Sequence, residues 1–207
     1  MTQRYYVHPE NPQLRLIKQV ADIIRRGGVA IYPTDSSYAF ACALGEKRAL
    51  DRIKQIKQLP DKHLFTLMCR DLSEVADYAK VENEAYRLIK LLTPGAFTFV
   101  LQARNKVPRR LMHPTRKTIG FRVPGNNIAM TLLEEIGEPV LTTTLNLEDD
   151  DIPYNETDTI EDMYLNQVDA FIDGGICGSN ETTMIDLTGG APELIRQGVG
   201  DASSVGL

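Results

Sequence analysis

No stretch of the 207-residue chain approaches the ~20 uninterrupted apolar residues needed to cross a bilayer. The opening MTQRYYVHPENPQ lacks the apolar centre of a signal peptide, so no membrane association is expected. Cysteine is scarce: Cys42, Cys69 and Cys177 are odd in number and far apart. That argues against a disulfide framework or a CxxC site and makes a reducing cytoplasm the expected location. His8, His63 and His113 are scattered, without HExxH or a neighbouring cysteine, so no zinc site is expected. The chain also lacks G-x-x-x-x-G-K-[ST], G-x-G-x-x-G and G-x-S-x-G. The glycine cluster GGICG at 174–178 reads only as a turn. An enzyme with this sequence uses none of the commonest nucleotide or hydrolase motifs.

With 43% hydrophobic and 25% charged residues, the composition is that of a globular domain, not a disordered or collagen-like chain. The net charge of −5 hides a division. Residues 1–122 hold 22 Lys/Arg and 11 Asp/Glu, whereas residues 123–207 hold 17 Asp/Glu and one cation, Arg196. Between Glu84 and Glu134 there is no acid, against nine Lys/Arg. A basic half can attract polyphosphate or RNA backbone. The plainer expectation is that the two halves neutralise each other within one domain.

Asn11-Pro12 reads as an N-cap and first helical position, followed by Leu14, Ile17, Ala21 and Ile24 at helical spacing. VAIY, stopped by Pro33, SYAFACAL, LFTLM, FTFVLQ, TIGFRV, PVLTTTL, VDAFID, TTMIDL and ELIRQ read as strands. Helices are expected at 46–57, 73–79, 83–92 and 128–136, and an acidic loop from Glu148 runs into another near Asp162. Strands and helices alternate with no linker or repeat. The expected fold is one α/β domain over residues 1–207, a mixed sheet flanked by helices.

Polar clusters interrupt the strand ends, where ligands bind in α/β sheets. Tyr32-Pro33-Thr34-Asp35-Ser36-Ser37-Tyr38 offers hydroxyls and a carboxylate. Lys54, Lys57 and Lys62 lie near a helix end. In KTIGFRVP, Thr118, Gly120 and Arg122 share a strand face, and an arginine on a core strand needs an anion. Thr144 and Asn146 share another face. Together with Arg196, these groups suit an anionic nucleotide plus an amino acid.

Those same residues resemble the YrdC family, and within it the YciO branch. YPTDSSYAF is similar to the family's Tyr-Pro-Thr-Glu opening, KQLPDKHL to its Lys-x-Arg-Pro loop and TPGAFTFVL to its Pro-Gly-x-x-Thr strand. KTIGFRVP, VLTTTLN, ETTMIDLT and IRQG follow in the family's order, so the resemblance runs from about Tyr5 to Asp201. LFTLMCRDLSE and VPRRL resemble the YciO branch in particular.

The resemblance implies a twisted mixed sheet with a concave basic groove and threonylcarbamoyl-AMP synthase chemistry. L-threonine, bicarbonate and ATP, with Mg²⁺ on the ATP, would give threonylcarbamoyl-AMP and pyrophosphate for tRNA modification. Carried over by position, Thr34 and Arg122 would bind L-threonine. Lys57, Thr118, Thr144, Asn146, Thr182 and Arg196 would contact ATP. Four departures stand out: Leu59 replaces the second basic residue of Lys-x-Arg, Thr144-Leu145-Asn146 replaces Ser-Ala-Asn, Asp35 replaces glutamate, and Glu148-Asp149 replaces Ser-Gly. An alternative is a non-catalytic module that holds double-stranded RNA or tRNA with the groove and Arg104, Lys106, Arg109, Arg110, Arg116 and Lys117. A third is carbamoyl transfer to another acceptor.

Overall fold

The alternation of period-2 and period-3.6 segments gives eleven strands and six α-helices in a computed structural model that describes residues 2–60, 63–145 and 156–207. The strands are β1 (Gln3–Tyr6), β2 (Ala30–Pro33), β3 (Tyr38–Ala43), β4 (Thr66–Met68), β5 (Ala79–Lys80), β6 (Phe97–Ala103), β7 (Thr118–Arg122), β8 (Val140–Thr144), β9 (Ala170–Asp173), β10 (Thr183–Asp186) and β11 (Glu193–Arg196). The helices are α1 (Leu14–Arg25), α2 (Lys47–Ile56), α3 (Leu72–Tyr78), α4 (Asn83–Leu92), α5 (Asn127–Ile136) and α6 (Thr157–Tyr164).

All strands join one mixed sheet in the order β1-β9-β2-β3-β8-β4-β7-β6-β10-β11, with β5 beside β6. Ile31, Phe40, Leu67, Phe99, Phe121 and Phe171 point to one face and pack with α2, α3, α4 and α6. Ala30, Tyr32, Ala39, Ala41, Val140 and Ile172 point to the other, where α1 and α5 bring Ile17, Val20, Ile24, Ile128 and Leu132. This second apolar layer stops near Met68 and Val140. Beyond it the same face carries threonines.

Two expectations are corrected in detail. Helix α1 begins at Leu14 after Gln13, not at Pro12 with Asn11 as its cap, because the Glu10 and Asn11 amides both donate to His8 Nδ1 at 3.2 Å and wrap this segment into a turn. Pro33 does not stop β2; it is the last residue of that strand, opposite Tyr38. The charge division also has its plainer meaning here. Arg4 pairs with Asp173 at 2.7 Å, Arg52 with Asp169 at 2.6 Å and Arg116 with Asp186 at 3.4 Å, each joining the basic half to the acidic one.

Helix α3 has a well-formed cap. Asp71 Oδ1 accepts from the Glu74 amide at 2.8 Å, and Glu74 Oε2 accepts from the Arg70 amide at 2.7 Å. The Glu74 amide, followed by Arg70, holds the Asp71 carboxyl below its ordinary range. A group lowered on folding contributes stability above its unfolded value and loses it as pH falls through the folded one. Asp71→Ala is therefore expected to cost about 1 kcal/mol at pH 7. In urea titrations, the difference from the parent protein should shrink below pH ~4, the ordinary aspartate range.

Candidate active site

The turn between β2 and β3 is closed by its own threonine. Thr34 Oγ1 donates to the Ser37 carbonyl at 2.6 Å and accepts from the Ser36 and Ser37 amides at 3.2 and 3.3 Å. A hydroxyl used in this way replaces a backbone hydrogen bond. Thr34 is thus spent on the turn itself, and the groups it leaves to meet a neighbouring strand are Asp35 and Ser36.

Both of these meet Arg122. Its Nη2 donates to Asp35 Oδ1 and, at 3.2 Å, to Ser36 Oγ. Asp35 Oδ2 accepts from the Gly125 amide at 2.9 Å. Arg122 is only 4% exposed, and its Nε is the one buried side-chain nitrogen or oxygen among the described residues with no hydrogen-bond partner. Leaving such a donor unmade costs about 1–3 kcal/mol. Behind the turn, Gly178 packs so closely on Ser36 that a Cβ there would fall inside contact distance of the Ser36 carbonyl oxygen. The glycine cluster read as a turn is therefore also the backing that sets the turn's position.

The sheet register places the remaining candidates. Ala41, Thr142, Thr66 and Gly120 stand side by side across β3, β8, β4 and β7. Val140, Met68 and Arg122 form the neighbouring row. Alternation puts Thr118 and Thr144 on this face too. Gly120 leaves room that Thr66 and Thr98 fill: a Cβ would lie 3.0 Å from Thr66 Oγ1 and 3.2 Å from Thr98 Cγ2. Tyr32, whose phenol burial pushes up to about 12, stays a neutral donor to Thr142 Oγ1 at 3.1 Å.

Thr182 joins the face through Thr98, with the two hydroxyls 2.7 Å apart. Arg196 lies beside it, but its Nε and Nη2 donate to the Thr182 carbonyl at 3.2 and 3.1 Å and its Nη1 pairs with Glu181 at 2.7 Å. Buried Lys57 caps α2 and donates to the Thr144 carbonyl. Leu59, two residues on, packs against the first core cluster instead of presenting a charge. Lys62, Asn146, Glu148 and Asp149 lie outside the described residues.

The basic run between β6 and β7 does not form one strip. Lys106 pairs with Asp77 at 2.9 Å and lies over the Tyr78 ring. Arg110 donates to the Gly45 carbonyl at 2.6 Å, and Lys117 to the Pro114 carbonyl. Buried Val107 and Leu111 anchor the segment in the cluster that holds Ile119 and Phe121, on the face opposite Gly120 and Arg122. Arg116 turns back to Asp186, which stands in the row of Val100 and Gly120. Arg104 and Arg109 are exposed.

Thr66 and Thr98 were missing from the sequence-derived candidates, although the alternation in LFTLM and FTFVL could have placed them. The Arg122–Asp35 pair could not be found that way, because 87 positions separate its members.

The sequence and the fold are shared with known proteins. YciO of Escherichia coli (strain K12), an uncharacterized protein, is 52% identical over 97% of this chain and 98% of its own length. Its crystal structure matches with a TM-score of 0.92. The threonylcarbamoyl-AMP synthase of Pyrococcus abyssi is 29% identical over 88% of this chain and 54% of its own length. A crystal structure of P. abyssi Sua5 complexed with L-threonine matches at a TM-score of 0.89 and 28% identity, covering 99% of this chain and 60% of that one. The Sua5/YciO/YrdC family model, described as telomere recombination, matches residues 22–198. The chain belongs to that family.

Proposed function

We propose that the chain is a nucleotidyltransferase of threonylcarbamoyl-AMP synthase type, serving the threonylcarbamoyl modification of tRNA adenosine. The observation that carries this reading is the buried Arg122, fixed by Asp35 and Ser36 on a strand face that it shares with Thr118. A guanidinium so held matches a carboxylate, and a P. abyssi relative has been crystallised with L-threonine.

In this scheme the threonine ammonium and bicarbonate combine to carbamate, water and one proton. A carbamate oxygen then attacks the α-phosphorus of ATP. The bond to the β-phosphate bridging oxygen breaks, and pyrophosphate leaves. Mg²⁺ enters on the triphosphate as part of the substrate and neutralises its charge. Arg122 holds the amino-acid carboxylate, and Thr34 keeps Asp35 and Ser36 in place around it. By the resemblance, ATP contacts fall to Lys57, Thr118, Thr144, Thr182 and Arg196, and to Asn146, which lies outside the described residues. Such a reaction needs positioning and charge neutralisation more than an acid–base pair. The dispersal of the Arg104–Lys117 cations over two faces favours this reading over a double-stranded RNA or tRNA module.

The test is pyrophosphate release from ATP, Mg²⁺ and bicarbonate with and without L-threonine. Omission of threonine or bicarbonate is expected to return release to the no-protein background. Threonine-independent release, or none, would overturn the proposal. RNA binding with a steep loss in salt would then point to the nucleic-acid reading.

A further inference from the structure

The two ends of the sheet are built differently. At β11 the register shifts: Arg196 stands opposite Met184 and Leu194 opposite Ile185, with Ile195 left over. A bulge of this kind, flanked by charges at Glu193 and Arg196, blunts an edge strand against pairing. At the other end β1 keeps an unbroken parallel register with β9, from Gln3 opposite Ala170 to Tyr6 opposite Asp173. Its one charge does not guard the edge. Arg4 is drawn back onto its own chain, to Asp173 at 2.7 Å and over the Tyr6 and Phe171 rings, and Tyr6 is left 65% exposed.

The backbone of β1 faces both ways. The Gln3 amide donates to the Asp169 carbonyl at 3.4 Å and the Val7 amide to the Asp173 carbonyl at 2.8 Å. Strand alternation then turns the N–H and C=O groups of Arg4 and Tyr6 away from β9, to the side where β1 has no neighbouring strand. Two such edges are complementary about a two-fold axis. With Tyr5 opposite Tyr5, Arg4 of each copy stands opposite Tyr6 of the other, and each pair exchanges both N–H···O bonds. Charge complementarity selects the same register, because each guanidinium then faces a ring. A slip one way sets Arg4 against Arg4, like charges directly opposite. A slip the other way calls on the His8 amide, which already donates to Gln13 Oε1 at 3.0 Å.

We propose that β1 is a self-recognition edge, at which two copies of the chain join antiparallel into one continuous sheet. A second copy is the occupant because the order of outward groups and side chains, Arg4 then Tyr6, is its own complement when reversed. The pairing consumes both β1 edges and leaves only the bulged β11 edges outside, so assembly closes at two.

The test is sedimentation equilibrium of the whole chain from about 1 µM to 1 mM, with residue-resolved amide exchange on the same samples. A dimer is expected, and the Arg4 and Tyr6 amides should be protected in proportion to its fraction. Tyr6→Pro removes one outward N–H from each copy, half of the backbone bonds between them, and is expected to weaken the dimer by about 30-fold or more. Tyr6→Lys keeps that amide, sets a cation against Arg4 and should weaken it by about threefold or more. Ile195→Lys, on the opposite edge, should leave it unchanged. Tyr6 is exposed and its amide makes no bond to β9, so both Tyr6 variants are expected to keep the parent urea midpoint; amide exchange in the parent decides the matter without them. A single-chain mass at every concentration would overturn the proposal. So would a dimer whose Arg4 and Tyr6 amides exchange freely, one weakened equally by Ile195→Lys, or assembly beyond two copies.

Discussion

Arg122→Ala is expected to lower threonine-dependent pyrophosphate release by roughly 10²–10³-fold in kcat/KM, the scale on which removal of one preorganised charged donor acts. The variant loses the buried donor and also leaves Asp35 with the Gly125 amide as its only protein hydrogen bond among the described residues. Breaking a buried pair by removing one partner costs about 3–5 kcal/mol, so part of the loss could come from unfolding. Arg122→Lys separates the two effects. It keeps a cation for Asp35 but not the fork that reaches Asp35 and Ser36 while aiming Nε elsewhere. The lysine variant should retain most of the stability in urea titration and still lose at least tenfold in kcat/KM, mainly through KM for threonine. Full activity in Arg122→Lys would show that charge alone suffices and would remove the geometric argument for the site.

The second large effect is expected at a residue that itself carries no charge. In Gly178→Ala the added methyl would run into the Ser36 carbonyl oxygen. That obstacle is backbone, so rotamer changes cannot relieve it. Overpacking of this kind costs about 1–3 kcal/mol, and relief requires the 34–37 turn to shift away from Arg122. Gly190 provides the control: nothing lies within 4 Å of a Cβ there. Gly190→Ala is expected to stay within about 0.5 kcal/mol of the parent. Urea midpoints give the stability comparison, and KM for threonine reports the turn. A tenfold rise in KM for Gly178→Ala, with none for Gly190→Ala, would confirm that the glycine segment sets the position of the pocket. Equal behaviour of the two variants would refute that role.

Much of the fold was legible because it rests on local periodicity. FTFVLQ, TIGFRV and PVLTTTL each became strands within a residue or so of expectation, and the shared face of Thr118, Gly120 and Arg122 follows from a period of two. Strands β1 and β5 were missed because four polar or aromatic residues and two residues, respectively, carry too little pattern. The site was harder to read, since its logic is pairing across the chain. Sequence shows Thr34, Ser36 and Ser37 as equivalent hydroxyls; only the turn geometry decides that Thr34 is consumed and Ser36 meets Arg122. Arg196 looked available as the lone cation of its region, yet it is tied to Glu181 and the Thr182 carbonyl. Consecutive cations around Arg110 suggested a strip, but apolar anchors at Val107 and Leu111 draw the segment to the opposite face.

The interleaved strand order bears on how the protein is assembled as it is synthesised. When the first 122 residues have emerged, β2 and β3 can pair, and so can β4, β7, β6 and β5, yet nothing links these two groups. The bridge between them is β8, the partner that joins β1 to β2 is β9, and the cover for the open side of β6 is β10. All three come from the later, acid-rich portion. Unfinished sheet edges invite pairing between neighbouring nascent chains. The excess of Lys and Arg in the early portion makes those chains repel one another, and the acidic remainder is drawn to the same edges when it arrives.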